Sequence, residues 1–261
     1  IILGGLGFPV LHNLSRWGYW RLKQRIKPQD DLPQGVFASP VRLTLHSRIV
    51  LISTAGLLVA GAVVIWALGP GGYSPAAMRD ALFFSVTART AGFSTVSVTD
   101  CSPAGKLMLI LLMLIGGSPA STAGGLKTVT LVVMVMAIVA TIRQRQQVNL
   151  GHRGLALMFV RRAAAVMGLY LGLFFVVCLA LSVTEQHSGM ASIDLIFEAA
   201  SALGTVGLSA DVTAGVSPAG RWVLIAAMFI GRIGPLGLLM GLSSRQVPAA
   251  YEYPNESVII S

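Results

Sequence analysis

Charge is scarce in this sequence. Acidic and basic residues make up 11% of its 261 positions, against about 25% in an ordinary soluble domain. Only 10 residues are acidic, while 54% belong to the hydrophobic set and the mean hydropathy is +0.76. Those figures make a disordered tail, a water-soluble enzyme and a nucleic-acid binder poor readings. Cysteine is scarce too: Cys101 and Cys178 are too few for a disulfide framework or a zinc knuckle. The four histidines (His12, His46, His152, His187) are scattered over separate segments and give no metal-ligand spacing. No nucleophile elbow, P-loop, G-x-G-x-x-G run or carboxylate pair stands out, so the chain reads as a non-enzyme with no covalent cofactor. A starting methionine is missing as well. The chain opens Ile1-Ile2-Leu3-Gly4-Gly5 inside an apolar run, which is expected of a piece of a longer protein or an incomplete record.

What is present is long apolar runs. Ile49–Leu68 holds 20 uncharged residues and Ala163–Thr184 holds 22, each near the roughly 20 that a helix needs to cross a bilayer. Leu107–Ile142 carries one charge, Lys127, in 36 residues; as one helix it would measure about 54 Å, too long for a single crossing. Its middle, Gly116 to Gly125, is dense in glycine and contains Pro119, so the helix is expected to break there. Irregular backbone at membrane depth persists only against protein or a water-filled cavity. Trp222–Ser244 is a last span interrupted by Arg232 and Pro235, and Ile1–Ser15 reads as the end of another.

The net charge of +9 lies in clusters between these runs, the habit of a membrane protein. Arg16, Arg21, Lys23, Arg25, Lys27, Arg42 and Arg48 share one connection; Arg143, Arg145, Arg153, Arg161 and Arg162 share the next but one; Arg245 follows the last span. The positive-inside rule makes these sides, and the C-terminus, cytoplasmic. Trp17, Tyr19 and Trp20 beside Arg16 and Arg21 form an interfacial belt, for which membrane lipid is the expected partner.

Two apolar stretches, Ala81–Ala88 and Ile193–Leu203, are too short to cross. They read as re-entrant helices capped by Asp80 and Ser192. Each leads into a tract of small residues, and the tracts repeat: Thr90-Ala91-Gly92-Phe93-Ser94 superposes on Thr205-Val206-Gly207-Leu208-Ser209 at an offset of 115. At that offset Ser102-Pro103-Ala104-Gly105-Lys106 falls on Ser217-Pro218-Ala219-Gly220-Arg221, and Gly116 falls on Gly231. Span, re-entrant helix, tract and span therefore occur twice. A re-entrant helix followed by a glycine-bearing tract is the plan of a cation filter, in which carbonyl oxygens replace an ion's hydration shell. The plainer reading of a lone T-x-G-x-S is a turn, or close helix packing of the kind expected at Gly168-xxx-Gly172 and Gly237-xxx-Gly241; its repetition in both halves favours the filter.

The run Thr87–Thr95 resembles the third filter of the Trk/Ktr/HKT superfamily of potassium transporters, and Phe197–Ser209 resembles the fourth. Gly116-Gly117-Ser118-Pro119-Ala120-Ser121-Thr122-Ala123-Gly124-Gly125-Leu126-Lys127 is similar to that family's intramembrane gating loop. Gly231–Leu236 is similar to its arginine-bearing last span, and Gly4–Pro9 to the exit helix of the second repeat. The resemblance implies an all-α integral membrane protein of tandem span–pore helix–span repeats with re-entrant filter loops, as in potassium channels. Only the third and fourth of four repeats are present on this reading: 1–40 as the end of a preceding repeat plus linker, 41–150 as the third, 151–261 as the fourth with a tail. It implies potassium ions at filter residues Thr90, Ala91, Gly92, Phe93, Thr205, Val206, Gly207 and Leu208. It implies a gate at Gly116, Gly117, Ser118, Ser121, Thr122, Gly124, Gly125 and Lys127, and a pore barrier at Arg232. A homodimer of pore subunits and a cytosolic nucleotide-binding regulatory ring are the implied partners.

Several charges carry two readings. Lys127 either holds the broken loop or snorkels to the interface. Arg232, ten residues into its span, either faces the pore or the loop, which is the expectation, or snorkels to the interface. Arg89 is expected to turn behind the filter and pair with an acid such as Glu198. Asp100 and Asp211 either concentrate cations at the outer mouth or are solvated loop acids. The expected function is potassium uptake across a bacterial-type inner membrane. The alternatives are a secondary transporter with a broken-helix substrate site and a family member permeable to both sodium and potassium.

Overall fold

A computed structural model describes residues 1–26, 42–69, 74–145, 147–150, 153–234 and 237. Leu45–Leu68 forms a continuous helix, α3, started by Thr44, whose hydroxyl accepts from Ser47 N at 3.2 Å. At 24 residues it is about 36 Å long, enough to cross the hydrocarbon. Leu157–Thr184, α7, is longer, at 28 residues. In their most apolar stretches only 28% and 17% of positions are buried. A core helix of a soluble protein would be mostly covered. Here Ile52 is 68% exposed and Phe175 67%, an arrangement that suits lipid rather than water.

The chain enters through a helix broken in two, α1 (Ile2–Leu6) and α2 (Phe8–Ile26). Gly7 separates them with φ +80°, a value open to glycine at no steric cost. The segment read as ending near Ser15 therefore continues as helix to Ile26.

Two helices of 13 residues, α4 (Pro75–Thr87) and α8 (Ser192–Gly204), pack on one core through Phe84 of the first and Phe197 of the second. About 20 Å of helix cannot span a bilayer, so their lengths are those expected of re-entrant helices. Their caps are not those expected. Ser74 caps α4 by accepting from Ala77 N at 3.1 Å, with Pro75 in the first turn, so Asp80 lies within the helix. Proline is tolerated there because its missing N–H has no helical partner in any case. On α8 the cap position is Ala191, with no side-chain bond, and Ser192 is already helical.

The expected break of the 36-residue run is present. Helix α5 (Pro103–Leu114) ends before the loop, and α6 (Thr128–Ile142) begins after it. Helix α9 (Pro218–Ile233) closes the described chain; Pro235, the remainder of the last span to Ser244, the Gly237–Gly241 pair as a whole, His152, Lys27 and Arg245 lie outside the described residues. One departure from an all-helical chain is a pair of short antiparallel strands, β1 (Val148–Leu150) and β2 (Arg153–Leu155), between α6 and α7. Among the described residues nothing packs closely at Gly168 or Gly172, where a side chain would meet no atom within 4 Å.

The largest core joins α4, α5 and α8 through Phe84, Leu109, Leu112, Met113 and Phe197. A second cluster, with Leu181, Ala199 and Leu224, ties α8 to α7 and α9. Between α5 and the first turn of α8, Lys106 Nζ meets Asp194 Oδ1 at 2.6 Å, with side chains 10% and 17% exposed. The sequence had singled out Lys106 only as the counterpart of Arg221, which instead donates to Val216 O and Ala214 O.

Candidate functional site: two left-handed tracts over a glycine loop

The turns that follow the two short helices share an unusual feature, although α4 ends on right-handed Ala88 and α8 directly on left-handed Thr205. Thr90 has φ +66° and Thr205 φ +54°. Left-handed backbone is costly for a β-branched residue, and its recurrence at positions 115 apart marks a designed feature. Two residues on, Gly92 and Gly207 again take positive φ, +76° and +93°, where glycine is at ease. The tracts approach each other here. A Cβ on Gly92 would overlap Val206 O and come within 3.1 Å of Gly207 Cα.

Side chains behind each tract hold it in place. Thr87 Oγ1 donates to Phe93 O at 2.6 Å and accepts from Phe93 N at 2.8 Å. Ser201 Oγ accepts from Gly207 N at 3.2 Å. Glu198, 5% exposed, serves the second tract through three donors: Ser209 Oγ at 2.5 Å, Ala210 N at 3.0 Å and Thr213 Oγ1 at 2.9 Å. The expected Arg89–Glu198 pair is therefore not formed. A carboxylate within reach of a peptide N–H and two hydroxyls is satisfied locally, and Arg89 Nη2 donates instead to Gly116 O at 3.1 Å. Of the outer acids, Asp211 accepts from Ser97 Oγ at 3.0 Å, bridging the segments after the two tracts, and Asp100 is exposed.

Beneath the tracts runs the loop from Ile115 to Lys127. Its ends are pinned by Gly116 N to Leu126 O (2.9 Å) and Leu126 N to Leu114 O (3.1 Å). Its middle is bonded to the broken N-terminal helix: Ser118 N reaches Gly5 O at 2.9 Å, Ser118 Oγ donates to Leu6 O, and Phe8 N reaches Ala120 O at 3.2 Å. Ser121 Oγ turns inward to Ser118 O at 2.6 Å. Thr122 N lies 3.4 Å from Gly4 O. Gly117 leaves no space for a side chain, which would meet Ala123 Cβ at 2.6 Å. Two cations grip successive carbonyls, Arg232 Nη1 on Thr122 O and Lys127 Nζ on Ala123 O, both at 2.6 Å. Of the two readings of each, the loop contact is the one seen. Gly124 presses on the second tract, where a Cβ would overlap Thr205 Oγ1, and Gly125 takes φ +69°.

Between tract and loop lies an open cleft of about 300 Å³, lined by Gly4, Gly5, Arg89, Thr90, Phe93 and Thr122 among others. Of the sequence-expected residues Thr90, Ala91, Gly92, Phe93, Thr205, Val206, Gly207 and Leu208, the structure brings Gly92 against Val206 and Gly207, while Phe93 is exposed and Leu208 is buried. The loop residues Gly116, Gly117, Ser118, Ser121, Thr122, Gly124, Gly125 and Lys127 lie under them with Arg232. Sequence reasoning missed Thr87 and Ser201, whose signal was a hydroxyl at the end of each short helix. It also missed Glu185, 5% exposed, which accepts from Ser217 N at 3.1 Å and Ser217 Oγ at 2.5 Å and so sets the start of α9.

Comparison with known proteins gives the family and the fold. The family described as "TrkH: Cation transport protein" matches residues 1–245. The chain is 34% identical to the Ktr system potassium uptake protein B of Vibrio alginolyticus, over 99% of its own length and 53% of that protein's. It is 33% identical to the potassium/sodium uptake protein NtpJ of Enterococcus hirae, over 100% and 55%. Among solved structures, the crystal structure of the potassium transporter TrkH from Vibrio parahaemolyticus shares its fold, with a TM-score of 0.59 at 24% identity over 76% of this chain and 44% of that one. The chain spans about half the length of the curated relatives it matches.

Proposed function

The chain belongs to the TrkH family of cation transport proteins, and on that premise we propose that it serves potassium uptake across the plasma membrane through a channel-like pore. The observation that carries this reading is the pair of left-handed Thr-x-Gly tracts, Thr90–Gly92 and Thr205–Gly207, facing each other with no side-chain charge in either. Backbone forced out of the ordinary regions at two equivalent points has a use where carbonyl oxygens must be aimed at an ion. Ions lose water to the tracts Thr90–Phe93 and Thr205–Leu208, cross the cleft below, and meet the loop Gly116–Lys127 as a gate with Arg232 as an electrostatic barrier.

The working division is 1–40, the end of a preceding unit with a linker; 41–150, the third repeat; and 151–261, the fourth with its tail. Basic residues from Arg143, at the end of α6, to Arg161 and Arg162, in the first turns of α7, support a cytoplasmic side for that connection, and the same rule supports a cytoplasmic C-terminus. A homodimer of such subunits, controlled by a cytosolic nucleotide-binding ring, is the assembly the family likeness suggests. The name of the relative from Vibrio alginolyticus favours potassium, and that of the relative from Enterococcus hirae gives passage of sodium as a second reading. The broken α1–α2 helix also suits a secondary transporter, but two tracts repeating in one direction favour a pore.

Rubidium and sodium uptake into proteoliposomes tests the proposal. Gly92→Ser or Gly207→Ser should lower discrimination between the ions, because a side chain on left-handed backbone displaces the neighbouring carbonyls. Unchanged relative uptake in both variants would refute the filter assignment.

A further inference from the structure

Arg89 is unusual in its surroundings. The residue is 8% exposed, and no carboxylate lies within ion-pair distance of it among the described residues. Its one hydrogen bond from the side chain runs to Gly116 O at 3.1 Å, while Nε has no partner. A buried guanidinium without an acid is expensive at membrane depth, so a role in packing alone does not explain it. Its place does. Arg89 immediately precedes the left-handed Thr90 of the first tract, and Gly116 is the first glycine of the loop below, fixed by its N–H bond to Leu126 O at 2.9 Å.

The loop also touches the second tract at the equivalent point. Gly124 packs so closely on Thr205 that a Cβ would overlap Thr205 Oγ1 and lie 3.0 Å from Gly204 O. Thr205 is the left-handed residue there. One loop therefore supports both strained threonines, through a charged hydrogen bond on one side and a steric contact on the other.

We propose that Arg89 is a positioning residue that ties the first tract to the root of the loop, so that opening the loop and discriminating between cations are coupled. The proposal rests on the filter and gate roles given above. When the loop swings away, the Gly116 peptide turns, Arg89 loses its acceptor, and the backbone at Thr90 is freed to change the spacing of its carbonyls. Gly124 withdraws from Thr205 in the same movement, so both tracts relax together. Arg89, a cation on the wall of the cleft, offers a passing cation no ligand; its influence on selectivity passes through Thr90.

The test uses the protein expressed from its full reading frame, reconstituted in liposomes, with rubidium and sodium uptake measured in parallel. Arg89→Gln should lower the rubidium-to-sodium ratio about ten-fold, the weight of one charge-assisted hydrogen bond, with Arg89→Lys intermediate. Combined with deletion of residues 118–122, Arg89→Gln should add no further change, because the loop it reports on is no longer seated. An unaltered ratio in Arg89→Gln overturns the coupling, and so does an equal fall with and without the deletion, which would mark a purely local effect on the tract. If Arg89→Gln does not give folded protein by gel filtration, Gly124→Ala is the deciding variant: pressing the loop onto Thr205 must shift the ratio, and a wild-type ratio overturns the proposal. Absence of any cation uptake by the wild type would instead overturn the transport reading beneath it.

Discussion

Removing the carboxylate of Glu198 gives the sharpest test of how the second tract is held. Two variants separate charge from shape. Glu198→Gln keeps the side-chain volume and one acceptor oxygen, which can remain at the Oε1 position and serve Ser209 Oγ and Ala210 N. Its amide group then faces Thr213, whose hydroxyl is free to turn and accept because Ser209 Oγ lies 2.9 Å away as a second partner. Three bonds to a charge become three neutral ones, each weaker by about 0.5–1 kcal/mol, partly offset by the easier burial of an amide; the net loss is about 1–2 kcal/mol. Glu198→Ala is different in kind. The two hydroxyls still bond each other, but the Ala210 N–H, in a residue 2% exposed, is left unpaired at a cost of about 1–3 kcal/mol. The emptied volume adds about 2 kcal/mol, giving about 3–5 kcal/mol in all. Thermal unfolding of purified protein in detergent should therefore rank wild type above Glu198→Gln and both well above Glu198→Ala. The rubidium-to-sodium uptake ratio should follow the same order, since the Ser209–Thr213 segment continues the tract. Equal destabilisation by the two variants would refute the hydrogen-bond account, and a wild-type ratio in folded Glu198→Ala would sever Glu198 from selectivity.

Two further outcomes concern the gate. Deleting residues 118–122 removes the bonds that Ser118, Ala120 and Thr122 make to the broken N-terminal helix and should raise rubidium flux in liposomes while expression holds; wild-type flux from folded protein would end the gate assignment. Arg232→Gln loses the 2.6 Å bond to Thr122 O, worth about 1 kcal/mol for a side chain that stays exposed, so flux should rise about five-fold. Arg232→Lys, which keeps the charge, should remain nearer wild type, and reduced flux through folded Arg232→Gln would refute both latch and barrier.

Some of this was legible in the sequence because it depends on local rules. Twenty uncharged residues in Ile49–Leu68 force a span whatever their neighbours do. A glycine-dense decade inside the 36-residue run forces a break, and the 115-residue offset aligned Ser102 with Ser217, which the structure shows capping α5 and α9 in the same way, each accepting from a glycine N–H at 3.1 Å. The membership in a cation transport family followed from tracts whose order and spacing need no partner to be recognised. The start of α4 was misjudged by six residues and that of α8 by one, because Ser74-Pro75 begins a helix in a stretch where Asp80 looked like the cap.

Partners across the molecule were decided by tertiary structure alone. A buried charge takes whichever partner the packing brings within about 3 Å, and sequence distance carries no information about that. Glu198 and Arg89 looked like a pair by sign, yet Glu198 finds a peptide N–H and two hydroxyls 11 to 15 residues along its own chain. Arg89 finds a carbonyl 27 residues away, on a loop whose course is fixed by a third element, the broken N-terminal helix. The sequence determined that a filter-like tract occurs twice and that a loop interrupts the helix between; only folding set that loop against both tracts, because contact between backbones depends on where three helices stop rather than on any residue's own preference.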